Sequence, residues 1–159
     1  MTPNTALSVR TAQPQDIEPL SVLCTTVWID TYSFDGIEPS HARYVLTQFS
    51  PTALQQQIEQ KTVFVALNQD NPVGVIIIHP GNGEIETLYV LPRYQSQGVG
   101  RLLLQHSKQQ ADTLFLTCWE GNHKALAFYQ RQGFIEDGEF FFELEGKKIR
   151  NIRLILEDH

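Results

Sequence analysis

The sequence predicts a mixed α/β (α+β) fold: a mostly antiparallel, twisted sheet of six to seven strands flanked by about four helices. Three observations predict it. Three β-rich segments follow one another between residues 62 and 90, separated by turn-forming residues, which is an antiparallel meander. Segments of helical spacing stand on either side of the meander. In the second half, strand and helix patterns alternate, which implies a parallel crossover. The 159 residues suit a single domain, 1–159, and a hydrophobic content of 42% is enough for a core.

Ala6 to Thr11 (ALSVRT) alternates and reads as an edge strand. From Pro14 to Tyr32, the apolar residues Ile17, Leu20, Leu23, Val27 and Trp28 recur at helical intervals. Ser40 to Phe49 gives a short helix. Ser50-Pro51 then sets an N-cap before a proline at the first helical position, and the helix runs to Gln60. Thr62 to Leu67 (TVFVAL) is β-branched and aromatic, hence a strand. Asn68 to Pro72 (NQDNP) is turn chemistry, Val73 to His79 (VGVIIIH) a second strand and Pro80 to Gly83 (PGNG) a second turn. The near-continuous apolar run VGVIII marks a strand covered on both faces. Glu84 to Val90 (EIETLYV) is a third strand, stopped by Pro92. Gly98 to Ala111 is a helix with Val99, Leu102, Leu103 and His106 on one face, and Leu114 to Trp119 (LFLTCW) is a strand. His123 to Gln132 is a helix ended by Gly133. Phe134 to Leu156 should form two long strands joined at Glu145-Gly146-Lys147.

The formal net charge is −6 and the pI about 5.3, which argues against nucleic acid as a partner, since phosphate backbones demand a basic face. An acidic surface suits a cationic substrate, and solubility alone explains it equally well. Cys24 and Cys118 have no metal-ligand or CxxC spacing, so no metal site is expected. Free thiols, no apolar leader in MTPNTALSVRTAQ and no long apolar run together predict a soluble cytoplasmic protein without a membrane partner.

One segment stands out. Residues 93–104 read RYQSQGVGRLLL, and no Asp or Glu occurs from Thr87 to Ala111 in an otherwise acidic chain. The segment follows a strand and opens a helix, where free N–H groups and the positive end of the dipole favour anions. Gly98 and Gly100 carry no Cβ, so a phosphate could approach the backbone. Arg101 in the first turn disfavours an isolated helix by roughly 0.3–1 kcal/mol, and a bound polyanion reverses that sign. There is no GKS or GKT of a Walker loop and no GxGxxG. A glycine-rich turn with a chance charge pattern is the bland alternative.

QSQGVG in this setting resembles the Q/R-x-x-G-x-G/A signature of the GNAT superfamily of acetyl-CoA-dependent N-acetyltransferases. EIETLYVLPRYQSQGVGRLLL resembles the family's central strand, pyrophosphate loop and helix. LTCWEGNHKALAFYQRQGF resembles its next strand and helix, with the N-x-x-A-x-x-F-Y-x-x-x-G-F pattern, so the likeness covers most of the chain.

The resemblance implies a GNAT-like sheet with acetyl-CoA as co-substrate. Gln95, Ser96, Gln97, Gly98, Val99, Gly100 and Arg101 would hold its pyrophosphate, and its pantetheine would lie along Leu88, Tyr89 and Val90 as an added half-strand. That arrangement requires free N–H groups on the strand, through a bulge or a splay. Val90 N–H would be the oxyanion donor, Tyr129 the acid for the leaving thiolate, and Asn122 would fix a pantetheine amide. A buried core position is the alternative reading of Tyr129. An alkylamine, with a pKa of about 10, arrives protonated and needs a base. Glu84 and Glu86 stand two apart on a strand, share a face and should raise one another's pKa; either would serve, directly or through water, and a solvated strand face is the alternative.

Trp28 to Glu38 (WIDTYSFDGIE) lies where this family builds its acceptor pocket. Asp30 and Asp35 beside Trp28 and Tyr32 suit a cationic amine. WEGN…AFY resembles the branch with bacterial spermidine and diamine acetyltransferases, which makes a polyamine the leading acceptor; the C-terminal FFFELEGKKIRNIRLILED departs from that branch's usual ending. A protein N-terminus, a lysine or another small amine are the other acceptors, and a non-catalytic acetyl-CoA-binding module is the reading from a different class. His41 is a further candidate for the acceptor pocket, Cys118 reads as packing, and Lys147, Lys148, Arg150 and Arg153 read as a solvated strand face. The C-terminal hairpin has two readings, edge-to-edge pairing in a homodimer or burial in the core.

Overall fold

The β-branched run from Thr62 to Ile78 builds the two central strands of one sheet, and the other elements take their places around it. The structure, a computed structural model, describes residues 6–144 and 146–157. Along the chain lie β1 (Leu7–Thr11), a 3-10 turn at Pro14–Asp16, α1 (Ile17–Tyr32), α2 (Pro39–Gln48) and α3 (Pro51–Gln60). Then come β2 (Thr62–Asn68), β3 (Asn71–Ile78), β4 (Ile85–Val90), a 3-10 turn at Pro92–Tyr94 and α4 (Val99–Ser107). The chain continues with β5 (Leu114–Trp119), α5 (His123–Arg131), β6 (Ile135–Leu144) and β7 (Lys147–Leu156).

The strands form two antiparallel sheets, β1-β2-β3-β4 and β5-β7-β6. The expected parallel crossover is reduced to one bridge, Glu84 to Phe115, beside a hydrogen bond from Phe115 N–H to the Gly83 carbonyl. The cause lies in β4. Ile77 faces Thr87 and Ile78 faces Ile85, which leaves Glu86 as an extra, bulged residue. A bulge bends its strand and increases the local twist, and beyond it β4 and β5 diverge.

β3 is covered on both faces, as its apolar run predicts. Val75 and Ile77 pack with Leu20, Leu23 and Leu54 under α1 and α3. Ile76 and Ile78 pack with Val99, Leu103 and Leu104 of α4, in the core that also holds Tyr129, Phe134 and Leu154. Local signals also hold at α3, where Ser50 Oγ accepts the Ala53 N–H at 3.1 Å ahead of Pro51. Arg10 of β1 clamps the buried Asp16 at 2.7 Å and so fixes the start of α1.

Three expectations need correction. Helix α4 ends at Ser107 rather than Ala111: the Gln110 N–H turns back to the Ser107 carbonyl, and Lys108, Gln109 and Gln110 offer no apolar side chain to hold another turn on the core. The five α-helices among the described residues match the five helical segments of the sequence. Arg150 is not simply solvated; it pairs with Glu120, Glu136 and Glu139, while Arg153 meets Asp137 and lies over the Phe115 ring. Core burial does not account for the whole C-terminal hairpin either. β6 is an edge strand with Phe140, Phe141 and Phe142 exposed, although Ile152, Leu154 and Leu156 of β7 are buried. Of the expected turn, Glu145 lies outside the described residues.

Gly83 carries the junction between the sheets at φ +82°, and an added Cβ would stand 2.1 Å from the Thr113 carbonyl oxygen. Gly83→Ala should cost roughly 2–4 kcal/mol, from left-handed strain plus overpacking against backbone. Gly36→Ala, also at positive φ but with no atom within 4 Å, should cost only the strain. Urea unfolding of the two variants checks the difference.

Candidate active site

Beyond the Glu84 bridge, β4 is paired on one edge only, with β3. The Leu91 N–H reaches the Val73 carbonyl across that pair at 2.9 Å. Backbone groups alternate in direction along a strand, so Leu88 and Val90 turn theirs to the open edge. The Val90 carbonyl accepts the Gln95 side-chain N–H at 3.0 Å. The splay expected of this strand is present. Leu88 and Val90 pack their side chains on the α4 side, and Tyr89 packs its own on the α1 side.

Past the end of β4, the loop turns through two left-handed residues, Ser96 at φ 68° and Gly98 at φ 85°, before the helix begins at Val99. A left-handed residue followed by a helical one gathers successive N–H groups into an anion-binding concavity. Nothing lies within 4 Å of a Cβ added to Gly98, so its surroundings are open and its backbone angle is what demands glycine. Gly100 departs from the expectation that both glycines clear room for a ligand: its added Cβ would stand 2.9 Å from Phe128 Cζ, so it clears room for α5 against α4. Arg101 is exposed and makes no ion pair among the described residues. Gln97 donates to the Arg93 carbonyl at 3.0 Å, and its Oε1 is buried without a partner.

Lys124 Nζ donates to Gln95 Oε1, linking α5 to this loop. The sequence reading missed Lys124, although the signal that marked Arg101 marks it too: a cation in the first turn of a helix. Asn122, expected to fix a ligand amide, is the N-cap of α5, and its Oδ1 accepts the Ala125 N–H at 3.2 Å.

Tyr129 is buried, its ring at 5.2 Å from Phe128 and 5.3 Å from Phe134. The ring belongs to the core, which agrees with the alternative reading of this residue. Burial, reinforced by Cys118 and Tyr32, pushes its pKa well above that of an ordinary phenol. Burial also raises Tyr89, with Tyr32, Cys24, Tyr44 and Tyr129 adding to the shift. Tyr32, Tyr44 and Tyr129 thus stand near enough to Tyr89 to influence it, beside the fork where β4 and β5 part. Burial raises the Cys118 thiol to about 11, which suits packing and not a nucleophile.

Glu84 and Glu86 do not form the like-charge pair expected of a regular strand. Glu86 is the bulged residue and is bound by Lys61 at 2.6 Å. The bulge breaks the alternation, so Ile85 and Leu88, three apart, enter the same core. Glu84 is half-buried at the bridge between the sheets, and its carboxylate has no ion pair among the described residues.

Beside α1 stands a wall of rings. Trp28 lies 4.9 Å from Tyr32, 4.8 Å from Tyr44 and 5.2 Å from His41. Tyr32 extends the wall to Trp119 at 6.1 Å, and Phe49 joins Tyr44 to Tyr89 at 6.0 Å each way. Trp28 and Tyr32 are joined in this wall by Tyr44 and Phe49 from α2 and its C-cap and by Trp119 from β5, none of which the sequence grouped with them. The two carboxylates are not part of the wall. Asp30 is two residues from both Trp28 and Tyr32, about 200° around the helix, and is exposed. Asp35 is exposed in the turn after α1.

A helix start with gathered N–H groups thus stands beside an open strand edge, an arrangement that suits a ligand carrying both phosphates and amides. The chain belongs to the acetyltransferase (GNAT) domain family, whose model matches residues 29–152. It is an acetyl-CoA-dependent N-acetyltransferase of the GNAT type. It is 29% identical over 150 residues to the Probable N-acetyltransferase Rv2775 of Mycobacterium tuberculosis, covering 85% of this chain and 83% of that protein. It is 32% identical over 89 residues to the Peptidyl-lysine N-acetyltransferase YjaB of Salmonella typhimurium, covering 55% of this chain and 59% of that protein. In fold it resembles the PaiA N-acetyltransferase of Thermoplasma acidophilum in complex with coenzyme A, with a TM-score of 0.78 at 19% identity over 96% of this chain and 99% of that one.

Gly100→Ala should press on Phe128 and cost roughly 1–3 kcal/mol. Combining it with Phe128→Leu should cost less than the sum of the two single changes, because the shorter side chain relieves the same contact. Urea unfolding of the four proteins measures the coupling.

Proposed function

We propose that the whole chain acts as one domain that transfers acetyl from acetyl-CoA to a lysine side chain of a protein or peptide, by direct attack in a ternary complex at the fork. The observation that carries this reading is the open β4 edge, with the Val90 N–H turned towards a fork beside which the buried Tyr129 stands. Acetyl-CoA supplies the acetyl group already activated as a thioester. The residues fit coenzyme A: the N–H groups around Gly98, with Arg101 and Lys124, would hold its phosphates, and the Leu88–Val90 edge its pantetheine.

The Val90 N–H donates to the acetyl oxygen where negative charge grows. Glu84 takes the amine proton, directly or through one water, while Glu86 is held by Lys61. Tyr129 Oη serves the departing sulfur. Because its pKa is raised, Tyr129 is protonated throughout the neutral range. Full transfer to a thiolate whose conjugate acid has a pKa of about 8.5 is uphill, so the hydroxyl acts first as a hydrogen-bond donor to sulfur.

The acceptor follows from the ring wall. The diamine branch suggested by WEGN…AFY would be served by carboxylates at the acceptor, but Asp30 and Asp35 are exposed, and Asp30 lies on the far side of α1 from Trp28 and Tyr32. Rings without that charge pair suit a single ammonium on a hydrocarbon stem, and YjaB is named for peptidyl-lysine. The free, buried Cys24 and Cys118 fit a reducing compartment such as the cytoplasm. No helix among the described residues is long and apolar enough to cross a membrane. The exposed phenylalanines on the open β6 edge support a homodimer.

Thiol release from acetyl-CoA, assayed across lysine peptides, diamines and polyamines, tests the reading. Turnover with lysine peptides is expected; stabilisation by coenzyme A with no turnover on any amine would sink it. Tyr129→Phe should lower kcat by about 100-fold and change the acetyl-CoA KM by less than about threefold. Unchanged turnover removes Tyr129 from the mechanism. Glu84→Gln should abolish the acid limb of the pH–rate profile and Glu86→Gln should keep it; the opposite pattern assigns the base to Glu86.

A further inference from the structure

β7 runs between β5 and β6, and at its centre lies a polar residue in an apolar setting. Asn151 faces Trp119 across one strand pair and Phe140 across the other. Directly opposed residues of antiparallel strands share a face. Ile152 and Leu154 of β7 point into the core under α4 and α5, so Asn151 points from the opposite face. That is the face bearing Trp119, whose ring meets Tyr32 of the acceptor wall at 6.1 Å.

Asn151 is 8% exposed, and its Nδ2 is buried with no hydrogen-bond partner. A buried amide N–H without a partner destabilises the fold unless something else satisfies it. The surroundings are open on the far side: Phe140 is 54% exposed and Phe142 38%, with their rings stacked 6.4 Å apart. An apolar strip thus leads from solvent, past one unsatisfied carboxamide, to the rings at the fork.

A carboxamide offers one acceptor oxygen and two N–H donors. Its complement is a group with a carbonyl and an N–H side by side, which is a peptide unit. A polyamine carries only donors and leaves Asn151 Nδ2 unsatisfied. One strand spacing, about 4.8 Å, separates Asn151 from Trp119, and the four-carbon stem of a lysine can pass over that ring towards the fork. We propose that Asn151 is a specificity-determining residue that binds a main-chain amide of the acceptor, so that lysine is read as part of a peptide. This rests on the lysine-acetyltransferase reading of the fork.

The test compares two acceptors with the same terminal amine: Nα-acetyl-lysine methylamide, which carries peptide units, and 1-aminopentane, which carries none. In the unaltered protein, kcat/KM should favour the amide-bearing acceptor by at least about tenfold. Asn151→Leu should reduce that ratio by about tenfold, through KM, with no fall in thermal midpoint. Calorimetric titration of Nα-acetyl-lysine methylamide into the coenzyme A-bound protein should show Kd weakened by the same factor. A ratio unchanged by Asn151→Leu overturns the proposal, and so does equal loss on both acceptors. Faster turnover of 1-aminopentane than of the amide-bearing lysine by the unaltered protein also overturns it, and leaves the transferase reading standing. Turnover of no amine at all sinks both.

Discussion

Two sheets that meet at one bridge and then part are the constraint on which the rest of the molecule depends. Glu84 and Phe115 close the junction, Gly83 supplies its turn, and the bulge at Glu86 swings β4 away from β5. An open edge inside a fold is a liability, because unpaired N–H and C=O groups seek partners. Here the Gln95 side chain satisfies the Val90 carbonyl, and the proposed reaction would use the adjacent N–H. The edge is managed on one group and offered on the other.

The helices beneath the fork are held at close range, and small residues make that possible. At Gly74 of β3, an added Cβ would stand 2.8 Å from Val99 Cγ1, so α4 sits directly on the strand next to the open edge. Gly100 does the same between α4 and Phe128 of α5. The glycine loop, the open strand and Tyr129 are therefore carried on one packed unit, and Lys124 closes it by reaching from α5 to Gln95. Precision at a site comes from rigid elements whose neighbours lock them.

Much of this was legible in the sequence. Strand and helix identities followed from periodicity, and Ser50-Pro51 fixed the start of α3 because the cap chemistry is local. The loop before α4 could be marked as a candidate because a cation in a first helical turn and a carboxylate-free segment conflict with local preference. What escaped was non-local. Regular alternation put Glu84 and Glu86 on one face as a like-charge pair, but a bulge is decided by the partner strand, and Glu86 found Lys61 from 25 residues away. Asp30 was grouped with Trp28 and Tyr32 by proximity in sequence, although helical geometry sets it on the far side. Trp119 of β5 joins one wall with Tyr44 and Phe49 of α2 and its C-cap, which no short window reveals.

The ring wall also bears on the proton problem of the proposed reaction. A free alkylamine with a pKa of about 10.4 costs roughly 4.6 kcal/mol to deprotonate at pH 7, at 1.36 kcal/mol per unit. A surface carboxylate alone recovers little of that. Burial among apolar rings lowers an amine's pKa for the same reason it raises those of Tyr89 and Tyr129: the charged form is the one that loses water. One desolvated fork thus pushes both partners towards the neutral forms they need, the amine without its extra proton and the phenol with its own. A strongly paired acid inside the wall would undo this by stabilising the ammonium, so the outward placement of Asp30 and Asp35 serves the chemistry as well as the packing. Glu84 at the bridge, outside the rings but next to the open edge, is then left with a smaller proton-transfer task.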